Sequence, residues 1–473
     1  MRSEDLSYFE DEEFKEALHL YESTIKDGRQ VYMDADDLTD IAEYYMVKER
    51  ESDANKCINL AVSLHPDAID PQVFLARKQL FHGNINNAKK IAEAINEQDD
   101  REVRFLWAEI YLKEGKRNEA DQLLENYYNH LEEDRDLFLY DSAGVFMDYD
   151  EWELATKWAK KLKESFPKFN RTDILLSDIL VSCGKVAEAI PLLDDILNKD
   201  PFNLEAWNLM AEAQSGQEHY SEALEAIDYL LAIDEDNLQG QLIRANSLFH
   251  LNRMKEAHAQ YQKYLEKENG DIMVIYFDAV ALTNLERYDE ALDQLNWAIE
   301  IAPDNTIELS HIFLQKSYIL SKKLCMQEAI DALEDAYCAQ GIEKDCEYYL
   351  LKGHILLENS NVHQAELCFS QSIQMSTDKF ATYLTIAISW AENEYFTTAA
   401  SIFDALLHSQ MEQKESLCYP YLAYCLYNLN DLEKFRLCLD KAVDHNPSLT
   451  EFLFSPLFPG IPVEKYKEIK LTK

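Results

Sequence analysis

Glycine and proline are scarce in this sequence. Each occurs eleven times among 473 residues, and no segment has the serine- and glycine-rich composition of a flexible linker. Tight β-turns and phosphate-binding loops are built largely from these residues. The scarcity therefore argues against both, and we expect a chain that is helical throughout.

Positive charge is also in short supply, since 45 Lys and Arg stand against 88 Asp and Glu and the net charge is -43. Proteins bind nucleic acids and anionic membrane surfaces by bringing Lys and Arg to phosphates. We therefore expect neither kind of partner. The acidic surface either keeps the protein in solution or selects a basic partner protein, and the composition leaves both interpretations open.

The signals of secretion and membrane insertion are missing. No apolar stretch reaches the length of about 18 residues that a membrane helix needs, and the amino terminus, MRSEDLSYFEDEEF, has no apolar signal-peptide region. Nine cysteines without a CxxC pair occupy helical positions such as Cys57, Cys183, Cys368 and Cys438. This usage is typical of small apolar core residues in a reducing compartment. The sequence therefore predicts a cytoplasmic protein.

Motifs of known catalytic and nucleotide-binding sites are absent as well. The patterns GxGxxG, GxxxxGKS/T, HExxH and GxSxG do not occur. His354 and His363 lie in one segment, but a metal site there would need further ligands close by. We therefore predict no catalytic centre, no metal and no cofactor.

A helical hairpin is present in residues 272–305. Two helices are predicted, Met273–Asn284 and Tyr288–Ile301, with a short polar break between them and Pro303 after the second. Small apolar residues fall where the two helices must approach closely. One hairpin cannot bury such a face alone, so it needs similar neighbours.

Such neighbours occur at a nearly constant spacing. Ala189, Ala223, Ala257 and Ala291 are each 34 residues apart. Equivalent residues continue in both directions: Ala17, Ala54, Ala88, Ala120, Ala155, Ala329, Ala365, Ala399 and Phe435. A second series of small residues marks the first helix of each hairpin: Ala42, Ala76, Ala108, Ala143, Ser177, Ala211, Ala245, Ala279, Ser317, Gly353, Ala387 and Ala423. The two series predict twelve complete repeats between about Asp34 and Pro447.

This pattern resembles the tetratricopeptide repeat family, whose 34-residue unit is a pair of helices with small residues at the contact and a closing proline. Trp207, with Ala211, Ala223 and Ile227, matches the family pattern. The resemblance implies an all-α fold, a right-handed superhelical solenoid of stacked helical hairpins. Residues 1–33 are then an N-terminal capping helix, residues 34–447 the array, and residues 448–473 a C-terminal capping tail. We expect the apolar segment Phe452–Phe458 of that tail to fold back onto the last repeat.

The resemblance also implies a function. Members of the family commonly serve as non-enzymatic scaffolds that bind a segment of a partner protein in a concave groove lined by the first helices. Some members hold acidic chaperone tails with a Lys and an Asn one turn apart on a first helix. The matching pairs here, such as Asn208/Glu212 and Leu242/Asn246, contain no Lys, so we do not expect chaperone-tail binding.

The groove residues that the resemblance implies divide into two groups. In the family the second, fifth, ninth and twelfth positions of each first helix line the groove. In the first six repeats these positions include eight carboxylates: Asp36, Glu43, Asp70, Glu102, Glu109, Asp178, Glu205 and Glu212. In the last six the expected contacts are apolar side chains and one histidine: Phe249, Tyr276, Leu314, Tyr318, Leu350, His354, Leu357, Leu384, Ile388, Tyr424 and Tyr427. We therefore expect a protein or peptide partner that carries basic and apolar segments.

Two other functions remain open. Exposed apolar residues near the carboxyl terminus would allow the protein to self-assemble as a structural component, and the sequence does not determine the oligomeric state. The family also forms regulatory arms beside catalytic domains, so the array could serve a separately encoded enzyme.

Overall fold

The computed structural model describes residues 9, 11–29, 31–48, 50–303, 306–409 and 414–469. Residues 1–8 of the predicted N-terminal cap and residues 470–473 of the predicted tail lie outside this range. The described residues form 26 α-helices and one 3-10 helix, and they contain no β-strand. The chain divides into two compact units, Met1–Gly240 and Gln241–Lys473.

Thirteen helices, α1 to α13, lie in the first unit. In chain order they are α1 Glu12–Lys26, α2 Ala35–Val47, α3 Glu51–Leu64, α4 Ile69–Phe81, α5 Ile85–Ala94, α6 Arg101–Lys113, α7 Arg117–His130, α8 Arg135–Asp148, α9 Trp152–Ser165, α10 Thr172–Ser182, α11 Val186–Lys199, α12 Leu204–Gly216 and α13 Tyr220–Ile233.

The remaining helices follow the same alternation of first and second helices. They are α14 Leu238–His250, α15 Met254–Leu265, α16 Ile272–Asn284, α17 Tyr288–Ile301, α18 Ile307–Lys322, α19 Met326–Gln340, α20 Cys346–Glu358, α21 Val362–Met375, α22 Lys379–Glu392, α23 Phe396–Leu407, α24 Lys414–Asn428, α25 Leu432–His445, α26 Pro447–Phe454 and the 3-10 helix Val463–Glu468.

The hairpin α16–α17 shows why each repeat folds as it does. The carboxylate of Asp271 accepts hydrogen bonds from the backbone N–H groups of Met273 and Val274, both at 3.1 Å, and so caps α16. Ala279 on α16 and Ala291 on α17 are fully buried. A side chain no larger than a methyl group at these two positions lets the helices approach closely. The predicted hairpin and its small-residue contact are confirmed.

The turn inside each repeat ends the first helix with a left-handed residue. In the described turns this residue is Gly83, Gly115, Asp150, Gly184, Glu218, Asn252, Glu286, Leu324, Ser360, Glu394 or Asn430, with φ between 58° and 76°. The next N–H then donates to the carbonyl five residues earlier, for example Arg287 N to Leu282 O at 2.9 Å. This bond satisfies a carbonyl that would otherwise have no partner at the helix end. The turn geometry therefore recurs with few glycines, although glycine accepts it most readily.

The first helices of successive repeats contact one another within each unit. In the first unit α2 contacts α4, and the contacts continue through α6, α8 and α10 to α12. In the second unit they run from α16 through α18, α20 and α22 to α24. We call the surface formed by these helices the first-helix face of each unit. Within each unit the described helices form an all-α array of stacked hairpins, as predicted.

Both ends of the described chain pack against neighbouring repeats. Phe14 and Tyr21 of α1 are each 3% exposed and belong to the same core as Tyr45. At the other end Phe454 is fully buried and its ring lies 5.7 Å from that of Phe435. Phe452 of the same helix is 75% exposed. The aromatic tail segment is therefore divided between the core and the surface, whereas we expected all of it to be covered.

The cysteines are less uniformly buried than expected. Cys57, Cys418 and Cys425 are buried. Cys183, Cys368 and three others are partly buried, while Cys338 is exposed. The interpretation of all of them as core residues was wrong, because Cys183, Cys325 and Cys346 lie at helix ends and Cys338 is exposed.

Candidate functional site

The predicted acidic positions lie on the first-helix face of the first unit. Glu102 and Glu109 stand on α6, opposite Arg77 of α4. The Nη2 atom of Arg77 lies 3.1 Å from Oε2 of Glu102 and 2.9 Å from Oε1 of Glu109, and its Nε donates to both oxygens of Glu109 at 3.0 and 3.2 Å. The guanidinium thus joins two carboxylates of the next repeat.

Burial and neighbouring charges both shift the pKa values of Arg77 and Glu109. Burial acts to lower the pKa of Arg77, but the carboxylates of Glu109 and Glu102 outweigh burial and raise it. Glu109 is 8% exposed, and its pKa is raised because burial outweighs the attraction of Arg77. An uncompensated carboxylate at this position would be costly.

A second acidic contact joins α2 and α4. Burial, followed by the nearby carboxyl of Asp36, raises the pKa of Asp70 to about 6. Two carboxylates this close cannot both ionise freely. Glu43, on the same helix as Asp36, adds its negative charge to the surroundings of Arg77.

Further along the face, Glu205 and Glu212 occupy α12. Glu212 accepts hydrogen bonds from Asn208 Nδ2 at 2.8 Å and from Gln239 Nε2 at 3.2 Å. Burial raises the pKa values of both glutamates, and the charge of Asp178 on α10 raises them further. The eight predicted carboxylates therefore lie on α2, α4, α6, α10 and α12, and burial, together with the charges of neighbouring members, raises the pKa values of Asp70, Glu109, Glu205 and Glu212.

Three of these carboxylates border a cavity of about 790 Å³. Its walls come from α2, α4, α6, α8 and the residue that follows α8, with Phe9 adding one ring. The cavity holds Glu43, Glu102 and Glu109 from the predicted set together with Arg77. It also holds aromatic side chains, among them Phe81 and Tyr149, that we did not predict.

The sequence reasoning missed these residues for a simple reason. Phe81 and Asp148 come one position after the last predicted groove position of their helices, and Tyr149 comes one later. Extending the repeat numbering by two positions would have found them. The end of a first helix therefore also contributes to the face.

The predicted apolar positions lie on first helices of the second unit and differ in exposure. Tyr318 on α18 is 47% exposed, and the ammonium group of Lys322 lies 5.3 Å from the centre of its ring. Several others are half-buried and pack against the core while keeping one side at the surface: Leu314, Leu350, Leu384 and Ile388. These five residues form a row along α18, α20 and α22.

Other members of the predicted apolar set are used in packing. Leu357 is 2% exposed and lies in the core, so its assignment to the groove was wrong. It points between helices because α20 is in contact with both α18 and α22.

The remaining aromatic members contact neighbouring rings. The Tyr424 ring lies 6.0 Å from that of Phe396 and 6.3 Å from that of Phe454, and the Tyr427 ring lies 5.3 Å from that of Phe435. Phe249 and Tyr276 lie at 5.7 and 5.6 Å from Phe277.

His354 is the polar member of the predicted apolar set. Its Nε2 lies 3.5 Å from Oε1 of Glu358 and its Nδ1 lies 4.0 Å from Oε2 of Glu392. Lys322 and Ser321 also donate to Glu358. Burial alone would raise the pKa of Glu358, but hydrogen bonds from His354, Lys322 and Ser321 lower it to about 2. The row is thus interrupted by one compact ionic cluster.

Within the described ranges, no group of three His, Cys, Asp or Glu side chains is arranged to hold a metal ion. None of the helices built from described residues has the length and apolar character needed to cross a bilayer.

Two family models match the middle of the chain. A tetratricopeptide repeat model matches residues 180–246, and a model described as anaphase-promoting complex, cyclosome, subunit 3 matches residues 217–298.

Known relatives share parts of the chain. The DnaJ protein P58IPK homolog B of Oryza sativa subsp. japonica is 27% identical over 170 residues, which cover 33% of this chain and 36% of the rice protein. A TPR repeat-containing protein of Methanocaldococcus jannaschii is 29% identical over 118 residues, covering 22% of this chain and 20% of its own length. The chain therefore spans about a third of the length of the rice protein and a fifth of the length of the Methanocaldococcus jannaschii protein.

Among solved structures, YrrB is described as a TPR protein with an unusual peptide-binding site. It aligns with a TM-score of 0.35 at 21% identity and covers 39% of this chain and 92% of its own. The chain is thus similar to tetratricopeptide repeats at residues 180–246, and the helical hairpins before and after that segment have the same two-helix architecture.

Proposed function

We propose that this protein is a non-enzymatic scaffold that binds partner protein on its first-helix faces. Tetratricopeptide repeats act in general as protein-interaction scaffolds. The first unit binds a segment rich in Lys or Arg, and the second unit binds a segment with apolar side chains. The observation that carries this proposal is the separation of chemistry between the two faces, carboxylates on one and the row around Tyr318 on the other.

The acidic face favours a basic segment for a physical reason. Burial and mutual repulsion raise the pKa values of Asp70, Glu205 and Glu212. A bound cation relieves that repulsion, so the interaction energy is larger than for an isolated surface carboxylate. Binding should weaken as salt is added, because the outer charges are screened.

The apolar face favours burial of a hydrophobic segment. Tyr318 combines a large ring with 47% exposure, and aromatic residues in such positions commonly dominate interface energies. The half-buried leucines beside it have one side already packed, so they would lose little side-chain entropy on binding.

We propose that the protein is located in the cytoplasm. Buried cysteines such as Cys57 and Cys425 are free thiols, and structural thiols of this kind are typical of a reducing compartment.

Two alanine substitutions test the proposal. One replaces an exposed tyrosine at a predicted groove position, and the other replaces an exposed tyrosine away from these positions. The partner is first identified by affinity capture with the full chain, and its affinity is then measured by isothermal titration calorimetry. Tyr318→Ala should weaken binding by about tenfold, which corresponds to loss of one interface anchor. Tyr383→Ala is the matched control, because Tyr383 is also an exposed tyrosine of a first helix (39% exposed) but lies off the predicted groove positions.

The opposite pattern would reject the assignment of the face. If Tyr318→Ala binds like the unmodified protein and Tyr383→Ala does not, the partner lies elsewhere on the helices. A chain that forms dimers at micromolar concentration, and loses them when the exposed Phe452 is replaced by Ser, would instead support self-assembly.

A further inference from the structure

The last repeat is covered by a segment of the same chain. We call residues 450–468 the strap; they comprise the greater part of α26, the 3-10 helix and the turn that joins the two. α26 contacts α24, the first helix of the last repeat, and both α26 and the 3-10 helix contact α25. The strap therefore continues the first-helix face of the second unit by one short helix.

Aromatic rings of the strap extend outward from a predicted groove residue. The ring of Tyr424 lies 6.3 Å from that of Phe454, which lies 6.0 Å from that of Phe458. The Phe458 ring in turn lies 5.0 Å from that of Tyr466. Phe454, Phe458 and Tyr466 are 0%, 7% and 2% exposed. The strap thus covers the Tyr424 end of the face with apolar side chains, the chemistry that we propose for the segment bound by this unit.

The strap is buried on one side and open on the other. Phe452, Leu457 and Ile461 are 75%, 38% and 38% exposed. A core helix of a repeat is enclosed by its neighbours, whereas a docked peptide is held through a few anchor side chains. The strap resembles the docked peptide in this respect.

Polar contacts add little to the attachment of the strap. Within the described part of the chain, Lys467 pairs with Asp444 of α25, and their side chains are 34% and 65% exposed. Thr450 Oγ1 donates to the carbonyl of Asn446 at 2.7 Å, but this bond lies at the start of α26 itself. Exposed ion pairs contribute little to stability. Apolar contact therefore supplies most of the attachment.

One buried polar group opposes the docking of the strap. The hydroxyl of Tyr466 is closed off from solvent and has no hydrogen-bond partner among the described residues. Moving a hydroxyl out of water without a partner costs free energy. Because the hydroxyl regains water when the strap is released, the docked state is less stable than its three aromatic rings alone would make it.

We propose that the surface beneath the strap is a binding site for an apolar segment of the partner, and that the strap occupies this site until the partner displaces it. The proposal rests on the scaffold function proposed above and names the chemistry of the segment. It carries two aromatic residues four positions apart, as Phe454 and Phe458 are, followed by a lysine that reaches Asp444 as Lys467 does. A tethered competitor acts at a high effective concentration, so a segment with weaker anchors does not displace the strap.

The test uses the full chain and two labelled peptides. The strap peptide has the sequence of residues 450–468, and the serine peptide is the same sequence with Phe454→Ser and Phe458→Ser. The apparent affinity of the site is its intrinsic affinity multiplied by the fraction of chains in which the strap is released. In fluorescence anisotropy, the Phe458→Ser chain should therefore bind the strap peptide at least about tenfold more tightly than the unmodified chain does. The same chain should bind the serine peptide at least about tenfold more weakly than the strap peptide.

Tyr466→Phe acts in the opposite direction and keeps every ring of the core. It removes the hydroxyl that has no partner, so the strap should stay docked for a larger fraction of the time. The melting temperature should rise, and the strap peptide should bind this chain about threefold more weakly than the unmodified chain, or weaker still. This variant decides the question even if Phe458→Ser aggregates.

Phe452→Ser is the matched control, because it removes a phenylalanine from the exposed side of the same strap. It should change the affinity for the strap peptide by less than about twofold, as surface substitutions usually do. Equal effects of Phe452→Ser and Phe458→Ser, or equal binding of the two peptides, would overturn the proposal. So would a Tyr466→Phe chain that melts higher yet binds the strap peptide like the unmodified chain.

Light scattering examines a second occupant of the site. If the unmodified chain is a dimer that Phe458→Ser dissociates, the strap of a second copy fills the site, and displacement by a partner is the wrong explanation.

This proposal and the scaffold function fail in different ways. If the strap variants leave peptide binding unchanged while Tyr318→Ala weakens partner binding, the scaffold function stands and the strap is only a cap. If the strap variants behave as expected and Tyr318→Ala leaves partner binding unchanged, the site beneath the strap stands and the assignment of the row around Tyr318 is wrong.

Discussion

Arg77 and Glu109 are 32 residues apart in the chain, yet their side chains form a paired hydrogen bond between successive first helices, with Nε to Oε1 at 3.0 Å and Nη2 to Oε1 at 2.9 Å. Glu109 is 8% exposed, so this pair is held largely away from water. Pairs of this kind contribute little net stability, but breaking one of them leaves a buried charge.

Removing one partner of this pair should therefore destabilise the first unit. Arg77→Ala is expected to lower the free energy of unfolding by about 2 kcal/mol, less than for a fully buried pair because the arginine is partly exposed. Urea unfolding followed by circular dichroism measures this change. The double variant Arg77→Met with Glu109→Leu should recover most of the loss, and a double variant as unstable as Arg77→Ala would contradict the explanation.

Asp70 should make stability depend on pH. Its pKa is raised from 3.8 to about 6 in the folded protein, so the folded state holds the proton more tightly than the unfolded state. The stability that this group contributes is present below pH 3.8 and is lost as the pH rises through 6. Asp70→Asn should thus be more stable than the unmodified protein at neutral pH, by about 1 kcal/mol or less because water reaches the side chain.

Thermal unfolding at several pH values checks this prediction. The advantage of Asp70→Asn should shrink as the pH falls towards 4. Asp67→Asn, at an exposed position three residues earlier, is the control. An advantage that stays constant with pH would show that ionisation of the buried Asp70 carboxyl is not its cause.

Leu324 should be an unfavourable residue at its position in the turn between α18 and α19. It has φ of 59° and is 66% exposed, and its equivalent in α10–α11 is Gly184 with φ of 76°. A left-handed conformation costs a non-glycine residue about 1–2 kcal/mol, while glycine costs about 0.5–1 kcal/mol of chain entropy. Leu324→Gly should therefore stabilise the protein slightly, by about 0.5 kcal/mol.

The reverse substitution is the control for that effect. Gly184→Ala should destabilise by about 1 kcal/mol, although no atom lies within 4 Å of the added methyl position. A gain in the melting temperature of Gly184→Ala would show that backbone conformation does not limit these turns.

Removal of the C-terminal tail should uncover the last repeat. Phe454, Phe458 and Tyr466 are buried against it, at 0%, 7% and 2% exposure. Burial of two or three such side chains is worth about 4–8 kcal/mol before conformational entropy is subtracted. Truncation after Pro447 should therefore lower the melting temperature or cause aggregation, as differential scanning calorimetry and light scattering would show.

A point substitution separates the buried and exposed parts of the tail. Phe454→Ser should reproduce much of the loss, and Phe452→Ser, at 75% exposure, should not. If truncation leaves the melting temperature unchanged and abolishes only partner binding, the tail is a ligand segment rather than a cap.

The repeat architecture was predictable because the information is local. Ala279 and Ala291 permit close helix contact wherever they recur, and the 34-residue spacing places each hairpin against the next. The acidic character of the first six repeats followed from the same numbering. These features depend on residue type and periodicity, which a sequence displays directly.

Only the tertiary structure decided what each face residue does, because that depends on how neighbouring repeats stack. Leu357 and Tyr318 have similar places in the predicted groove, yet stacking buries the first at 2% and leaves the second 47% exposed. Stacking also brings Arg77 to Glu109 across 32 residues and collects Phe81 at the edge of a cavity. Distances between successive repeats arise from helix packing angles, and no single repeat contains them.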